Sequence, residues 1–304
     1  MKAVVTGARG FVGRHLTRHL AELDIDVVSL DVDDAQPVDI TDRDRVARRI
    51  AEESPDVVYH LAARSHVGAS WTDGDALADV NVGGTRAVVD ACVATGVARV
   101  LVVGSAEQYG TVAPASIPVD EHTECRPVSP YGKSKVAAEM VALEAHREHG
   151  LAVVCTRAFN HTGPGQSPAF LVPGLAARIA AAEQADTKRA GTDEITLGNG
   201  DPVRDFSDVR DVVRAYALLA EHGVAGEAYN VCSGRGVRVG DVAQRLLARA
   251  RRPLRVVTAT DLVRAVDVPV LVGDPAKLVA ATGWQPQHDL DDTLDDVLAD
   301  ARGQ

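Results

Sequence analysis

Aromatic residues, cysteine pairs and long apolar runs are all scarce in this sequence. Phe, Trp and Tyr together make up 4% of the 304 residues, so Val, Ala and Leu must fill any core. The four cysteines are widely separated and form no C-x-x-C pair, which fits a reducing compartment and offers no metal-site spacing. We expect all four to be buried structural residues: Cys92, Cys125, Cys155 and Cys232. No apolar run approaches the roughly 20 residues that a membrane span requires.

An excess of basic charge is also missing. The formal net charge is −11, which argues against a nucleic-acid partner because phosphate backbones are bound by basic surfaces. A small phosphorylated ligand held by a few arginines stays possible. The sequence opens on a strand-like run, MKAVVTGA, where a signal peptide would otherwise lie. We therefore expect a cytoplasmic protein with no metal, no membrane contact and no nucleic-acid partner.

The first 160 residues contain a regular alternation of short apolar runs and longer amphipathic ones. The short runs are rich in valine and nearly continuously apolar, as parallel strands covered on both faces are. They predict strands at 2–6, 26–30, 56–61, 99–105 and 151–159, with helices at 11–22, 42–53, 75–95 and 131–149. This alternation predicts an α/β fold built on a doubly wound parallel sheet.

Beyond residue 160 the rhythm changes, because loops lengthen and prolines cluster. The pattern predicts helices near 170–183, 207–222, 239–250 and 290–301, and short strands at 195–198, 228–232 and 254–258. We expect a nucleotide-binding domain made of residues 1–160 and about 206–232. A smaller lobe would comprise 161–205 and 233–304, so the chain would cross between the two more than once.

A glycine-rich loop lies between the first predicted strand and the first predicted helix. VVTGARGFVGRHL places Gly7, Gly10 and Gly13 there. Glycine permits a tight turn and lets the backbone approach a pyrophosphate, while a helix N-terminus supplies N–H groups and a favourable dipole. In this strand–helix setting the spacing G-x-x-G-x-x-G predicts dinucleotide binding rather than a plain turn.

The acid that ends the second strand bears on which dinucleotide binds. Asp31 is placed to accept hydrogen bonds from the ribose hydroxyls of NAD and to repel a 2′-phosphate. Arg9 in the glycine loop can instead meet a 2′-phosphate, so the residues favour NAD and leave NADP open. The stretches DIT at 39–41 and HLAA at 60–63 end at the same crevice. His60 itself is expected to be packed rather than reactive.

The stretch SPYGKSK carries a tyrosine and a lysine four residues apart. Ser129 and Pro130 suit a helix start, so Tyr131 and Lys135 would share one helical face. A neighbouring cation stabilises a phenolate, so we expect a lowered tyrosine pKa and a usable general acid or base. An exposed pair without chemistry is the plain alternative. Ser105, at the end of RVLVVGS, adds a hydroxyl that can orient a substrate carbonyl, and the three groups together favour carbonyl/alcohol redox chemistry.

These motifs resemble those of the extended short-chain dehydrogenase/reductase family, whose members modify sugar nucleotides: Gly7–Gly13, Asp31, His60–Ala63, Asn81, Ser105 and Tyr131–Lys135. The likeness implies a Rossmann fold with a smaller C-terminal substrate-binding α/β lobe, bound NAD(P) and a nucleotide-sugar substrate. It also implies a homodimer joined through a four-helix bundle by the helices at 75–95 and 131–149. The cofactor contacts that it implies are Gly7, Gly10, Phe11, Val12, Gly13, Asp31, Asp39, Ile40, Leu61, Ala62, Ala63, Asn81, Tyr131, Lys135 and Ala158.

Three activities compete on this scaffold: 4-ketoreductase, 4,6-dehydratase and 4-epimerase. All three oxidise or reduce C4 of the sugar, so the Tyr–Lys pair does not separate them. Dehydratases typically add an acidic pair after the Ser/Thr, and here the segment reads Ser105-Ala106-Glu107. Ala106 replaces one acid, while Glu107 keeps the base function at C5 open and stays a catalytic candidate. Some dehydratases also lack that acid, so the alternative remains.

The second half of the chain favours the reductase. The stretches TRAFNHTGPGQSPAFLVPGLAARIA, GNGDPVRDFSDVRDVVRAY and VPVLVGDPAKLVAATGW resemble the branch of the family that reduces GDP-linked 4-keto-6-deoxymannose. The substrate contacts that this implies are Ser105, Glu107, Tyr131, Asn160, Gln166, Arg178, Arg204 and Arg264. Arginine suits a diphosphate because its planar fork makes paired, charge-assisted hydrogen bonds. For Arg178 a solvated helix charge is an equal alternative, and His161 is expected near the sugar or the nicotinamide.

The implied reaction is reduction of the C4 ketone by NAD(P)H. In this scheme Tyr131 protonates the forming alkoxide, Ser105 stabilises the oxygen and Lys135 tunes the tyrosine. An alternative from another class is a nucleotide-sensing protein without chemistry, and the intact Tyr–Lys pair argues against it.

Overall fold

The computed structural model describes residues 1–65, 71, 74–185, 193–259 and 268–303. Its strands are β1 (Lys2–Thr6), β2 (Asp26–Leu30), β3 (Val57–His60), β4 (Arg99–Ser105), β5 (Val153–Ala158), β6 (Asn160–Thr162), β7 (Glu194–Leu197), β8 (Val203–Asp208), β9 (Glu227–Val231), β10 (Gly236–Arg238), β11 (Arg255–Thr258) and β12 (Val270–Leu271). Its α-helices are α1 (Phe11–Glu22), α2 (Arg43–Glu53), α3 (Gly74–Ala78), α4 (Gly84–Thr95), α5 (Pro130–His149), α6 (Leu171–Gln184), α7 (Val209–His222), α8 (Val239–Ala248), α9 (Ala276–Thr282) and α10 (Leu290–Ala301).

A six-stranded parallel sheet forms the centre of the N-terminal part, with strand order β2-β1-β3-β4-β5-β9. Its middle strands are buried on both faces; every residue of β5, for example, is buried. One apolar cluster joins the sheet to α1 and α7, and a second joins the opposite face to α2, α4 and α5. Valine-rich strands covered by helices on both sides require this arrangement. The prediction of a doubly wound parallel sheet is confirmed.

The C-terminal part has a core of its own. Helices α6, α8 and α10 pack together with residues of β7, β8 and β11. Strand β8 pairs antiparallel with β10 and parallel with β12 and β6, while β7 pairs with β11. Strand β6 directly follows the last residues of β5, so the chain passes from the large sheet into this smaller one within a few residues. The crossing takes place at the carboxyl ends of the large sheet's strands.

Several elements differ from the sequence-based expectation. The helix expected at 75–95 is divided into α3, a π-helical turn at Asp79–Gly83 and α4. The helix expected from 207 begins only at Val209, because β8 extends to Asp208, whose carboxylate accepts a hydrogen bond from the Arg210 N–H at 2.7 Å. Helix α9 and the short strands β6, β10 and β12 were not predicted. Two- and three-residue strands are too short to show a periodicity.

Two further observations concern the cysteines and the hydrophobic character of the helices. Cys92, Cys155 and Cys232 are buried and Cys125 is half-buried, and all four are free thiols. Within the described ranges, no helix has the length and apolar character that crossing a bilayer would take.

Candidate active site

A cleft of about 810 Å³ runs along the carboxyl ends of the central strands. The glycine loop and Asp31 lie along one stretch of its wall, and Ser105, Tyr131 and Lys135 lie along another. The first turn of α6 and Arg204 of β8 close the side that faces the C-terminal part. Ligands of open parallel sheets bind at this edge.

The glycine loop is shaped by two close backbone approaches. Gly7 has φ of +70°, and a Cβ there would lie 2.8 Å from the Ala62 nitrogen. A Cβ on Gly13 would lie 2.7 Å from the Ala8 Cα, so helix α1 can approach the loop only without a side chain at that position. No side chain among the described residues caps α1, whose N-cap is Gly10. The first N–H groups of α1 are therefore available to an anion.

Asp31 shapes the loop as well as lining the cleft. Its carboxylate accepts hydrogen bonds from the Arg9 N–H at 2.8 Å and the Asp33 N–H at 3.1 Å. The Arg9 guanidinium bonds to Asp34 at 2.8 Å, and Asp34 also accepts from the Ser29 hydroxyl at 2.7 Å. Arg9, considered above as a contact for a 2′-phosphate, is thus already paired with a carboxylate.

The three catalytic candidates come from two elements. Ser105 ends β4, and Tyr131 and Lys135 lie on the first turns of α5, which Ser129 caps by accepting from the Gly132 N–H at 3.0 Å. Tyr131 is 8% and Lys135 7% exposed. The Lys135 ammonium lies 6.0 Å from the centre of the Tyr131 ring and donates to the Val103 carbonyl at 2.8 Å.

The protonation of this cluster differs from the sequence-based expectation. Burial raises the pKa of Tyr131 to about 12; the Ser105 hydroxyl counteracts this rise and the Glu107 carboxylate adds to it. Burial lowers the pKa of Lys135 to about 8. The expected lowering of the tyrosine pKa is therefore not what the structure gives, because desolvation dominates and the ammonium hydrogen-bonds to a carbonyl. At neutral pH the tyrosine holds its proton and most of the lysine is charged.

A buried polar chain supports Ser105 from behind, and sequence reasoning missed it. The Gln108 side-chain oxygen accepts from the Ser105 N–H at 2.8 Å, and its amide donates to Glu139 at 2.8 Å. Glu139 pairs with Arg157 at 2.7 Å. These residues lie on α5, β5 and the turn after β4. The available signal was a charged residue, Arg157, inside the nearly apolar strand β5.

His60 and Asn81 lie beside the cleft and form hydrogen bonds with neighbouring segments of the chain. His60 Nδ1 lies 2.8 Å from the Thr6 hydroxyl oxygen and its Nε2 lies 3.0 Å from the Thr85 hydroxyl oxygen. Burial, helped by Lys135, lowers the pKa of His60 to about 3. The Asn81 side chain accepts from the Arg64 N–H at 2.8 Å and donates to Ser134 at 2.9 Å. Asn81, placed among the cofactor contacts above, is buried behind the wall and does not line the cleft.

The other cofactor candidates lie in the wall. Phe11, Val12, Asp39, Ile40, Leu61, Ala62, Ala63 and Ala158 all line the cleft together with the three glycines. Asp39 accepts from the Thr41 N–H at 2.9 Å, and Ile40 is buried.

Some of the residues expected to contact the substrate line the cleft, and others do not. Glu107, Asn160, Gln166 and Arg204 line the cleft. Arg178 does not, because its guanidinium donates to the Thr196 carbonyl of β7 at 2.5 Å. Arg264 lies outside the described residues. Asp205, which was not predicted, is fully buried and accepts from the Ser233 and Gly234 N–H groups at 2.8 and 2.9 Å, fixing the loop behind Arg204.

The loop after β6 ties the two parts of the molecule together. His15 and Arg14 of α1 contact the carbonyls of Pro164 and Gly165 at 2.9 and 3.3 Å. The Gly165 N–H donates to Asp300 of α10 at 2.8 Å. The loop therefore bonds to a helix of each part.

Two side chains of this crossing segment face the cleft. His161 stacks on Phe11 with ring centres 6.3 Å apart. Gln166 donates to the His161 carbonyl at 3.1 Å and accepts from the Thr162 hydroxyl at 2.8 Å, so its amide helps to close the turn.

Among the described residues, no group of three His, Cys, Asp or Glu side chains is arranged to hold a metal ion.

Comparison with known proteins gives a consistent result. The model of the NAD dependent epimerase/dehydratase family matches residues 3–232. A GDP-6-deoxy-D-mannose reductase of Pseudomonas aeruginosa is 34% identical over 297 residues, which cover 97% of this chain and 95% of the relative. Among solved structures, RMD from Pseudomonas aeruginosa complexed with NADPH is similar with a TM-score of 0.90, 34% identity and 99% of each chain covered. UDP-glucose 4-epimerase from Thermotoga maritima, with UDP-glucose, gives a TM-score of 0.92 at 27% identity, covering 100% of this chain and 99% of that one.

Proposed function

The chain belongs to the NAD-dependent epimerase/dehydratase family, and we propose that it reduces the C4 ketone of a nucleotide-linked 4-keto-6-deoxyhexose with NAD(P)H. The substrate type is GDP-4-dehydro-6-deoxy-D-mannose. The observation that carries the proposal is the convergence of Ser105, Tyr131 and Lys135 on the cleft that begins at the glycine loop. The similarity to GDP-6-deoxy-D-mannose reductase over 97% of the chain supports the reductase among the family's activities.

The cleft suits a dinucleotide. The close backbone approaches at Gly7 and Gly13 pack the loop against the start of α1, whose uncapped N–H groups are available to bind a pyrophosphate. Asp31 would bind the adenosine ribose, and Lys135 the nicotinamide ribose. When bound, NAD(P)H supplies the hydride.

The residues of the chain supply the proton and orient the C4 carbonyl of the substrate. Tyr131 holds its proton at neutral pH, so it can donate to the alkoxide that forms at C4. The ammonium of Lys135 stabilises the phenolate that remains, since an opposite charge nearby favours the ionised form. Ser105 lies close enough to Tyr131 to affect the pKa of the tyrosine. The Ser105 hydroxyl can therefore donate a hydrogen bond to the same C4 carbonyl oxygen that Tyr131 protonates.

The substrate would lie between the two parts of the chain. Arg204 of β8 is placed for the diphosphate and Asn160 for the sugar. Ala106, which also lines the cleft, offers no acid beside Glu107 for expelling a hydroxyl group. This favours reduction over dehydration.

A direct assay tests the proposal. GDP-4-dehydro-6-deoxy-D-mannose is supplied with NADH and then NADPH, cofactor oxidation is followed by absorbance, and the product is identified by NMR as the rhamno or talo epimer. Tyr131→Phe is the control: we expect turnover to fall by about a hundredfold or more while cofactor binding persists. Unchanged turnover in this variant contradicts the assignment.

Other outcomes identify the competing activities. Water loss from GDP-mannose without net cofactor oxidation would point to the dehydratase, and interconversion of UDP-hexoses to the epimerase. A fluorescence change with cofactor but no turnover of any of these sugars would indicate a nucleotide-sensing protein.

We also propose a cytoplasmic homodimer formed through α4 and α5, and a division into a cofactor domain (1–160 and about 206–232) and a substrate lobe. The free thiols support the cytoplasmic location. The 63% exposure of Met140 on α5 supports the homodimer. The separate apolar core of α6, α8 and α10 supports the division.

A further inference from the structure

The short turn after β4 places a buried amide against Ser105. Gln108 is fully buried, does not line the cleft and has no part in the proposed reaction. Its side-chain oxygen accepts a hydrogen bond from the Ser105 N–H at 2.8 Å, and its side-chain nitrogen donates to Glu139 at 2.8 Å. Because Arg157 of β5 holds Glu139 through two further hydrogen bonds, both ends of the Gln108 amide are fixed.

The same turn determines how the Ser105 hydroxyl can be used. Ser105 has extended backbone, with φ of −151° and ψ of 146°, and it is the N-cap of the turn Ala106–Gln108. Its hydroxyl oxygen accepts from the Glu107 N–H at 3.2 Å and, in a reciprocal capping box, from the Gln108 N–H. A hydroxyl oxygen has two lone pairs, so the hydrogen is what this group has left to offer. Toward the cleft, Ser105 is therefore a hydrogen-bond donor.

A fixed donor at this position suits a ketone that is being reduced. The carbonyl oxygen gains negative charge as hydride reaches C4, so the donor stabilises the transition state more than it stabilises the substrate. Burial raises the pKa of Tyr131 to about 12, and the Ser105 hydroxyl counteracts that rise, as a donor to the phenolate oxygen does. A serine hydroxyl that could turn freely would lose part of this stabilisation.

The Gln108 side chain reaches Ser105 because residue 104 is glycine. A Cβ on Gly104 would lie 2.5 Å from the Gln108 side-chain oxygen and 2.4 Å from the Thr156 carbonyl oxygen. If the Gln108 oxygen were removed, the Ser105 N–H would lose its acceptor at the end of β4. A buried N–H without an acceptor is costly, so the cap would relax to regain one.

We propose that Gln108 is a positioning residue for the reduction, which holds Ser105 in the cap geometry that aims its hydroxyl hydrogen at the C4 oxygen. This role rests on the proposed function, because it requires a ketone bound against Ser105. Gln108 contacts neither the substrate nor the cofactor and acts through Ser105.

Gln108→Met keeps the length of the side chain and removes its oxygen. In the reduction of the C4 ketone by NAD(P)H we expect kcat to fall about tenfold, the effect of one hydrogen bond that matters in the transition state, with KM for the sugar changed less than about twofold. In a Ser105→Ala background the same substitution should lower kcat less than about twofold, because no hydroxyl is left to position.

The cycle of variants separates positioning from a general structural role. An equal fall of kcat in both backgrounds, or an unchanged kcat in Gln108→Met alone, overturns the proposal. If Gln108→Met does not fold, Gln108→Asn takes its place in the cycle, since its amide is one methylene too short to reach both Ser105 and Glu139.

Hydrogen exchange provides a readout on the protein without ligands. Loss of the acceptor should speed exchange of the Ser105 amide about tenfold, measured by NMR. Tyr109→Phe is the matched control, because Tyr109 lies next in the same turn, is equally buried and bonds to Asn230 at 2.7 Å and to Arg157 at 3.1 Å. Its kcat should stay within about twofold of the wild type, and exchange at Ser105 should not change.

Failure of the wild type to reduce the ketone would overturn the proposed function itself. Unchanged exchange at Ser105 in Gln108→Met would instead overturn the role of Gln108, whatever the substrate.

Discussion

At the scale of single residues, the site depends on two side chains whose proton affinities burial shifts in opposite directions. Tyr131 becomes a weaker acid and Lys135 a weaker base, because each loses the hydration of its charged form. In the proposed reduction the tyrosine must start protonated and the lysine charged. Both conditions hold together only below the pKa of Lys135.

A pH profile follows from this. Because the pKa of Lys135 is lowered to about 8, its charge is present below that pH and is lost above it. We expect kcat to fall above about pH 8, by up to about tenfold per pH unit, while Tyr131, with a pKa of about 12, stays protonated. Steady-state kinetics from about pH 6 to about pH 10 measure this.

The matched variant for the pH profile is Lys135→Arg, whose charge persists at all these pH values. Its rate should be lower but should lack the fall near pH 8. An identical decrease of kcat in both proteins would show that a titratable group other than Lys135 causes it.

Cofactor choice also depends on single residues. Asp34 accepts from the Arg9 guanidinium at 2.8 Å, so this carboxylate would compete with a 2′-phosphate for Arg9. We expect Asp34→Asn to free Arg9 and to shift the Kd ratio toward NADPH by about fivefold. Fluorescence titration with NADH and NADPH gives the ratio.

The control for Asp34→Asn is Asp33→Asn, an exposed carboxylate one residue earlier that makes no contact with Arg9 within the hydrogen bonds of this loop. An equal shift in both variants would indicate a general change of charge instead of release of Arg9.

At the scale of elements, a buried ion pair joins α5 to β5 and, through Gln108, to the end of β4. Glu139 and Arg157 have side chains only 10% exposed, so loss of one charge leaves the other unpaired in a dry setting. We expect Glu139→Gln to lower the free energy of unfolding by about 3 kcal/mol. Urea unfolding followed by circular dichroism measures it.

Helix α5 also supplies the control for this variant. Glu144 pairs with Arg86 at 3.0 Å, with side chains 42% and 43% exposed. Glu144→Gln should change the free energy of unfolding by less than about 1 kcal/mol, as exposed pairs do. Similar losses in both variants would show that the Glu139 pair is no more important than a surface one.

Elements also show what the sequence could and could not reveal. The runs 2–6, 26–30, 99–105, 11–22 and 290–301 match β1, β2, β4, α1 and α10 residue for residue, because apolar periodicity is a local signal. The π-helical turn was not predictable, since it brings Asn81 to the backbone of Arg64 and to Ser134 on α5.

The same distinction holds within the site. The glycine loop and the Tyr–Lys spacing are local and could be read from the sequence. Strand β8 was missed because its buried Arg204 and Asp205 look like surface residues, and the N–H groups that satisfy Asp205 come from distant loops. The contacts of Gln108 and Arg157 with Glu139 likewise join residues far apart in the chain.

At the scale of the whole molecule, the proposed dimer can be tested on α5. Met140 is 63% exposed, an unusual setting for a large apolar side chain. Across a two-fold interface Met140→Glu would place two like charges close together, so we expect it to convert the dimer to a monomer. Light scattering after size-exclusion chromatography reports the mass.

Val224→Glu is the control for the dimer test, because Val224 is 59% exposed but lies outside α4 and α5. This variant should remain dimeric. A monomeric wild type, or a dimer that Met140→Glu leaves intact, would exclude this interface.

The contacts of the loop after β6 have a consequence for how such a protein diversifies. Helix α1 contacts this loop through the carbonyls of Pro164 and Gly165, and every residue type carries a carbonyl. Substitutions along the loop therefore retain these acceptors while changing the side chains that face the cleft. The lining of the cleft can therefore change in sequence while the attachment of this loop to α1 stays intact.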